Sequence, residues 1–443
     1  MNAVIIAILI MLILSLLRIN VVIALVIGAF IGGITGGLGL EGTINTFVEG
    51  LGGNAAVALS YALLGAFAVG LSKTGLPDAL VDTAIKLLGR NGESKKKTLS
   101  KVLLLLVILS VSIMSQNAIP VHIAFIPILI PPLLKVLNEL QIDRRVTATV
   151  LTFGLTAPYI LLPVGFGAIF HDILQTNMAE SGLTVSLSDI PLAMLLPVGG
   201  MVVGLLIAVF FSYRKPRTYE QKELIGVEKA TYSKKSISFA IVAVVVSLVA
   251  QLYLSEVVGV QGMIYGSLAG IIILYLSGSM KLNESDTILT NGMRMMAFIG
   301  FVMISASGFA QVLRATGHIE TLVATSAQWF GTNQMVAAFV MLIVGLFITM
   351  GIGSSFSTIP IIAAIFVPLC MEMGFSPMAT LAIIGTAAAL GDAGSPASDS
   401  TLGPTSGLNA DGQHNHIWDS CVPTFLHYNI PLIIFGSIAA IIL

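Results

Sequence analysis

The chain has 443 residues, of which 56% are hydrophobic and 10% are charged, and its mean hydropathy is +0.98. Soluble domains carry about 25% charged residues, so this composition excludes an ordinary soluble core and indicates an all-α polytopic membrane protein. The formal net charge of −1 gives no indication of a nucleic acid partner. The apolar runs are continuous rather than alternating, which argues against a transmembrane β-barrel.

Continuous apolar segments predict ten full spans across the lipid bilayer. The first segment has neither a basic region before it nor a small-residue cleavage site, so we interpret it as a retained span and not as a signal peptide. The ten predicted spans are residues 3–17, 21–38, 54–71, 146–170, 190–212, 236–254, 261–279, 294–312, 378–402 and 425–443.

Two further pairs of shorter apolar arms lie at 102–114/119–134 and 335–350/359–373. At ~1.5 Å per residue, the arm 102–114 reaches only about 20 Å, which is short of a ~30 Å hydrocarbon core. We therefore predict a re-entrant hairpin over 102–134. The arm 335–350 is longer, so a hairpin and two spans both remain open for 335–373.

The basic residues predict the sidedness of this layout. With the N-terminus outside, 20 of the 21 lysine and arginine residues fall in inside loops, and the exception is Arg314. This distribution follows the positive-inside rule and predicts a cytoplasmic linker over 214–235 in a plasma-membrane protein. Loop 403–424 is also predicted inside, although it carries no lysine or arginine.

The chain also resembles itself at a fixed offset. SKTGLPDALV (72–81) matches RATGHIETLV (314–323) at an offset of 242, and Gly28/Gly270 and Gly50/Gly292 keep the same offset. We therefore predict two repeats, 1–213 and 236–443, each with five spans and one hairpin. Because five is odd, the second copy enters the membrane inverted, as in alternating-access transporters.

Polar segments interrupt four apolar helices at equivalent places in the two repeats. Backbone groups left free in hydrocarbon cost several kcal/mol, so such breaks are tolerated where they line a cavity or are buried in protein. Broken helices at the repeat interface near the midplane would form one site there. The four breaks are Ser115–Asn117 before Pro120, Gly353–Thr358 before Pro360, Thr156–Gly165 and Gly391–Ser400.

The break GDAGSPASDST (391–401) contains Asp392 and Asp399, and we predict that both contact the transported ion or substrate. The alternative is that one of them caps a half-helix, with Ser395 or Ser398 contributing. At an offset of 233, Asp392 aligns with Tyr159, so only the second half supplies fixed charge. The oxygen-rich set suits sodium rather than zinc or copper.

Other polar residues near the breaks are weaker candidates for ion or substrate binding. Asn117 lies at the tip of the first hairpin and is a candidate ligand. His122 is a candidate proton relay or substrate contact, although a lone histidine more often packs through a hydrogen bond. Asp411, His414 and His416 fit a polar loop better than a metal site, and the two cysteines show no metal or disulfide spacing.

At these motifs the chain resembles the NhaC-type sodium/proton antiporter family of the larger ion transporter superfamily, and within it the members assigned to amino-acid transport, histidine included. The resemblance implies a homodimer, a scaffold domain and a moving transport domain with two hairpins, and sodium- or proton-coupled transport. It also implies ligands at the matching positions. These are Asp392, Ser395, Ser398, Asp399, Ser115, Asn117, Ser355, Ser357 and Thr358, with Thr156 added from the break in its helix.

Two transport hypotheses use the same aspartates. One is a cation-coupled amino-acid transporter, and the other is a sodium/proton exchanger with Na+ held by Asn117, Thr358, Asp392 and Asp399. No lysine or arginine is predicted in the membrane centre, which favours a cation or a zwitterion as substrate. An intramembrane aspartyl protease is disfavoured because ALGD (389–392) lacks the first glycine of the Gly-x-Gly-Asp motif. We therefore expect neither an enzyme nor an organic cofactor.

Overall fold

The structure is a computed structural model of the full chain. It describes residues 2–17, 19–53, 55–76, 79, 97–117, 122–220, 233–254, 258, 262–278, 280, 283, 285–330, 333–396 and 398–443. Much of the basic run 73–101, most of the linker 214–235, Pro120 and the side chain of His122 lie outside the described residues.

The described chain is almost entirely helical. The first half contains α1 (Ala3–Leu16), α2 (Val21–Thr35), α3 (Gly39–Gly50), α4 (Ala55–Lys73), α5 (Lys97–Asn117), α6 (His122–Glu139), α7 (Arg144–Leu161), α8 (Phe166–Glu180) and α9 (Asp189–Ile207), which continues as the π-helix Ala208–Ser212.

The second half is also mainly helical. It contains α10 (Lys234–Tyr253), α11 (Gly262–Leu276), α12 (Ser285–Ala315), α13 (His318–Phe330), α14 (Gln334–Ile352), α15 (Ser355–Glu372), α16 (Pro377–Ala389), β1 (Leu390–Gly391), β2 (Ala393–Gly394), α17 (Asp399–Leu408), the π-helix His416–Cys421, α18 (Val422–Thr424), the π-helix Phe425–Asn429 and α19 (Ile430–Ile442).

The prediction of a polytopic helical membrane protein is confirmed. By length and composition, four described helical segments can cross a bilayer: Asp189–Ser212, Lys234–Tyr253, Ser355–Glu372 and His416–Ile442. The bent pair α7 and α8 would make a fifth. Large apolar side chains also cover the outside of the protein, as a lipid environment requires; Phe347 is 65% exposed and Leu276 is 83% exposed.

The structure places two helix boundaries differently from the sequence analysis, and the re-entrant hairpin over 102–134 stays a prediction. The arm 102–114 belongs to α5, which has 21 residues, so its length no longer argues for a re-entrant hairpin. The segment 403–424 is not one loop, because α17 extends to Leu408 and a continuous helical segment starts at His416. The hydropathy pattern placed the ends of α5 and α17 too early. Serine, threonine and proline next to an apolar run can continue a helix when neighbouring helices satisfy the backbone groups.

Long-range hydrogen bonds join the loops in two groups. Arg144 on α7 binds Asp411 after α17, and the Ser236 hydroxyl donates to the Thr74 carbonyl oxygen. In the other group, the Asn2 amide donates to the His318 carbonyl oxygen, and the Ser376 hydroxyl to that of Leu443. Each contact joins loops that the sequence layout places on one side of the membrane. Which side is cytoplasmic stays a prediction.

The helices of the two halves also contact each other reciprocally at the sequence offset of 242. Gly28 on α2 lies against the ring of Phe309 on α12, and Gly270 on α11 lies against the ring of Phe67 on α4. The two contacts are equivalent in the two repeats, because the offset of 242 aligns Gly28 with Gly270 and Phe67 with Phe309. A methyl group on Gly270 would collide with the Phe67 ring, and one on Gly28 would press tightly against the Phe309 ring, so both close approaches are favoured by the missing side chain.

Candidate functional site

The first half contributes a bent helix. Helix α7 runs through Thr156 and Pro158, and the chain leaves helical geometry only after Leu161, so the predicted interruption is shorter than expected. Helices α7 and α8 meet at 47°. Gly165 has φ +61°, and its Cα lies so close to the Asn117 carbonyl oxygen that a side chain would collide with it. The end of α5 therefore packs against this bend.

The second half contributes a tight turn between α16 and α17. β1 and β2 pair in parallel, with Leu390 opposite Ala393. The Asn429 side chain accepts a hydrogen bond from the Gly391 N–H at 3.0 Å and donates to the Ala393 carbonyl oxygen at 2.7 Å. Asn429 thus satisfies two backbone groups of a turn buried in an apolar setting. The sequence analysis missed it, although a polar residue within the apolar run 425–443 was an available signal.

The connection between α14 and α15 is also shorter than predicted. Only Gly353 and Ser354 lie between the helices, and Ser355, Ser357 and Thr358 begin α15. The Thr358 hydroxyl donates to the Ser354 carbonyl oxygen at 2.9 Å, and the Ser357 hydroxyl donates to Ser354 Oγ at 3.3 Å. Ser355 Oγ instead lies 2.7 Å from the Tyr159 hydroxyl oxygen on α7. The N-terminus of α15 therefore reaches the bent helix of the first half.

Asp392 is the centre of this arrangement. Its Oδ2 accepts hydrogen bonds from the Tyr159 hydroxyl at 2.8 Å and from Ser400 Oγ at 3.0 Å, and its Oδ1 accepts one from Ser398 Oγ at 2.6 Å. The Thr156 hydroxyl donates to Ser400 Oγ at 3.3 Å. Asp392 is 8% exposed. A carboxylate is acceptor-only when it is ionised, and three hydroxyl donors match that state.

Asp399 occupies a different environment. It is the first residue of α17, directly after Ser398, whose side chain accepts the hydrogen bond from the Ser400 N–H and caps the helix. The capping role weighed for an aspartate is therefore filled by Ser398. The Asp399 side chain is exposed, in contrast to the buried Asp392. It accepts no hydrogen bond from the described residues, and its position at a helix N-terminus favours its negative charge.

Five aromatic rings pack beside Asp392, and we call them the aromatic cluster. Phe356 on α15 is its hub: its ring centroid lies 5.3 Å from that of Tyr159 and 5.8 Å from that of Tyr61. The cluster joins α4, α7, α8 and α15 at the bend. Its members are Tyr61, Tyr159, Phe166, Phe170 and Phe356.

The remaining predicted ligands lie farther from the centre of this network. Ser395 donates a hydrogen bond to the Met350 carbonyl oxygen at 3.3 Å and so joins the turn after α16 to the last turn of α14. Ser115 bonds within its own helix, to the Ser112 carbonyl oxygen at 2.8 Å. The Asn117 side-chain oxygen is buried and has no hydrogen-bond partner in the described chain. No hydrogen bond between described residues joins the end of α5 to Asp392.

The residues fit a hard alkali cation and not a transition metal. No group of three His, Cys, Asp or Glu side chains within metal-binding reach occurs among the described residues. Carboxylate, hydroxyl and amide oxygens surround the breaks instead, and such oxygens are preferred by cations of the sodium and calcium type. The unpaired amide oxygen of Asn117 is one free acceptor of this kind.

A second polar assembly lies at the loop face beside the site. Arg144 is fully buried; its two terminal nitrogens lie 2.7 and 2.6 Å from the Asp411 carboxylate oxygens, and it also donates to the Asn138 side-chain oxygen. His416 bonds the Pro396 carbonyl oxygen through Nε2 at 2.9 Å and Thr405 Oγ1 through Nδ1 at 2.8 Å. The loop residues predicted as merely polar thus connect α7 to the turn that carries Asp392.

Interrupted helices that meet around a buried carboxylate, in a polytopic helical protein, are typical of secondary transporters. The sequence profile of the Na+/H+ antiporter family matches residues 150–437, and a second Na+-H+ antiporter family profile matches residues 2–88. The chain belongs to the Na+/H+ antiporter family. It is a transport protein and not an enzyme, as the NhaC-type resemblance implies.

Named relatives agree with this assignment. The chain is 66% identical over 443 residues to the putative amino acid transporter YuiF of Bacillus subtilis, with 100% of both chains covered. It is 54% identical over 421 residues to an uncharacterized membrane protein of Haemophilus influenzae, covering 92% of this chain and 91% of the relative.

Solved structures share the fold at low identity. The Alcanivorax borkumensis YdaH transporter matches with a TM-score of 0.63 and 15% identity, over 91% of this chain and 89% of its own. Neisseria gonorrhoeae MtrF, described as one of a class of antimetabolite efflux pumps, matches with a TM-score of 0.62 and 17% identity, over 91% and 84%.

Proposed function

We propose that this protein is a secondary active transporter that takes up an amino acid, histidine or a similar one, in a step coupled to Na+ or H+. The observation that carries the proposal is Asp392, a carboxylate buried inside a membrane protein where three interrupted helices meet. A charged group at this depth is costly, and it is retained where it serves an ion or substrate. The 66% identity to a protein named for amino-acid transport supports the substrate class.

The proposed mechanism is alternating access between two inverted repeats, 1–213 and 236–443, with breaks at the midplane. The reciprocal contacts at Gly28 and Gly270 support this symmetry. The turns after α4 and α12 support it as well, because Gly75 and Gly317 have φ +76° and +67° at the same offset. We further propose a homodimer in the plasma membrane, with the N-terminus outside and the linker 214–235 in the cytoplasm.

Asp392 and Asp399 have different roles in this proposal. Asp392 is held by hydroxyl groups that can rotate, so they can donate to the empty carboxylate or present lone pairs to a cation. Asp399 is exposed and is free to meet the substrate. Asn117 and Thr358 complete the proposed Na+-binding set, and the unpaired Asn117 oxygen supports its inclusion.

A second candidate is exchange of Na+ against H+ without an organic substrate. The family to which the chain belongs favours it, and the same two aspartates would serve it. Both candidates predict the same effect of removing either charge, so they differ only in what crosses the membrane.

The deciding experiment uses purified protein in proteoliposomes. Uptake of labelled L-histidine is followed with an inward Na+ gradient at constant pH, and lumenal pH is followed separately with a dye. Asp392→Asn and Asp399→Asn are compared with the wild type, and Asp189→Asn is the matched control. Asp189 lies in the first turn of α9, where its carboxylate bonds the Ser186 N–H at an exposed position.

We expect histidine uptake that requires the Na+ gradient, that is abolished in both site variants and that is preserved in Asp189→Asn. Na+-driven pH changes without uptake of any amino acid would establish the exchanger instead. Unchanged transport in both Asp392→Asn and Asp399→Asn would remove the proposed site.

A further inference from the structure

Tyr61 on α4 carries a polar group that the described fold leaves unused. The residue is fully buried, and its hydroxyl has no hydrogen-bond partner in the described chain. A buried hydroxyl without a partner destabilises a protein, and phenylalanine would fill the same volume without that cost. The sequence analysis did not single out this residue, because it lies within an uninterrupted apolar helix.

The position of Tyr61 relates it to the site. Its ring packs edge-on against Phe166, which begins α8 after the bend, and against Phe356 in the first turn of α15. The centroid distances are 6.0 and 5.8 Å. Through Phe356 the cluster reaches Tyr159, whose hydroxyl binds Asp392, and both Asp392 and Asp399 lie near the Tyr61 hydroxyl. Helix α4 therefore borders the site across the aromatic cluster.

The combination of groups indicates the ligand chemistry. A carboxylate, a free hydroxyl oxygen and aromatic rings suit an organic ammonium group, which donates up to three hydrogen bonds and is attracted to ring faces. A bare alkali cation would use the oxygens but gain little from five packed rings. We propose that Tyr61 binds the ammonium group of the transported solute, together with Asp399. This inference rests on the proposed amino-acid transport.

The test compares Tyr61→Phe, which keeps the ring, with Tyr428→Phe as a matched control. Tyr428 is also fully buried, but its hydroxyl donates to the Thr149 carbonyl oxygen at 2.6 Å. Each of the twenty proteinogenic L-amino acids is tested for binding to the detergent-purified wild type in NaCl. The tightest binder and its analogue without the amino group are then titrated against both variants, and ligand-free melting temperatures are measured.

We expect Tyr61→Phe to bind the amino acid about tenfold more weakly, as for loss of one hydrogen bond to a charged group. Its affinity for the analogue should equal that of the wild type, and its ligand-free melting temperature should equal or exceed that of the wild type, because the unpartnered hydroxyl is removed. Tyr428→Phe should melt at a lower temperature and bind both compounds normally.

Three outcomes would overturn the inference. Equal amino-acid affinity in Tyr61→Phe and the wild type removes Tyr61 from the site while leaving amino-acid transport intact. A melting temperature lowered as much as in Tyr428→Phe assigns the hydroxyl a structural role. If no amino acid binds the wild type, the inference falls together with the proposed substrate class, and that result is distinct from the first two.

Discussion

The buried ion pair between Arg144 and Asp411 should contribute far more to stability than the partly exposed ion pair between Arg314 and Glu180. Arg144 Nη2 lies 2.6 Å from Asp411 Oδ2, and the side chains are 0% and 3% exposed. Arg314 Nη1 lies 3.4 Å from Glu180 Oε2, and those side chains are 23% and 32% exposed. Water screens the second pair and is excluded from the first.

Asp411→Asn leaves the Arg144 charge buried with only neutral acceptors, which are the Leu408 carbonyl oxygen, the Asn138 side chain and the amide oxygen that the substitution retains. Breaking a buried pair from one side costs about 3–5 kcal/mol, and these neutral acceptors place Asp411→Asn at the lower end of that range. Glu180→Gln at the partly exposed pair should cost at most about 1 kcal/mol.

The free energy of unfolding can be followed by denaturant titration in mixed micelles, with tryptophan fluorescence as the signal, since Trp418 lies close to Asp411 in the sequence. Equal losses in Asp411→Asn and Glu180→Gln would refute the argument, because burial would then make no difference.

The acid dependence provides a second readout. Burial by itself would raise the pKa of Asp411, but the hydrogen bonds and charge of Arg144 outweigh burial and lower the pKa below its usual value. A lowered carboxyl pKa gives stability that is present above the unfolded-state pKa of about 3.9 and is lost as pH falls through the folded-state pKa. The stability difference between wild type and Asp411→Asn should therefore shrink in acid.

Three further predictions follow from local geometry. Gly165→Ala should destabilise the protein by more than Gly182→Ala. Both glycines have a positive φ, which costs any other residue about 1–2 kcal/mol, but only Gly165 also lies against the Asn117 backbone. Equal melting temperatures of the two variants would contradict this prediction. Asn429→Ala should lower the free energy of unfolding by about 1–3 kcal/mol for each of the two backbone groups that it leaves unpaired. A loss smaller than the contribution of one hydrogen bond would show that other contacts stabilise the turn. Burial lowers the pKa of His414 to about 4, so wild-type stability should fall as pH drops from about 6.5 towards that value, and His414→Gln should lack this dependence in a pH series of unfolding curves.

The positions of the breaks were largely predictable from the sequence. Gly391 and Gly394 adopt positive φ where the motif predicted an interrupted helix, and Gly353 does so between α14 and α15. Glycine, serine and proline act on their own backbone, so their effect is local and can be recognised without the fold. Tertiary context altered the extent of the breaks: Pro158 remains inside α7, and Ser355 begins a helix instead of ending a turn.

The partners of the site residues were not predictable in this way. Tyr159 was noted only as the residue aligned with Asp392, yet its hydroxyl binds that carboxylate across 233 positions of sequence. Asn429 and Tyr61 lie within apolar runs whose periodicity gives no hint of the turn or the cluster they meet. Their relevance depends on which helices pack together, and single-sequence patterns do not contain that information.

The sequence by itself determined the class of the protein, its helical membrane character and the location of its fixed charge, because hydropathy and backbone breakers act over a few residues. Only the tertiary structure decided that Asp392 is enclosed by three hydroxyl donors while Asp399 stays exposed. The two aspartates lie seven residues apart in one motif rich in small residues, GDAGSPASDST, and what distinguishes their exposure is the set of helices that covers one and leaves the other open.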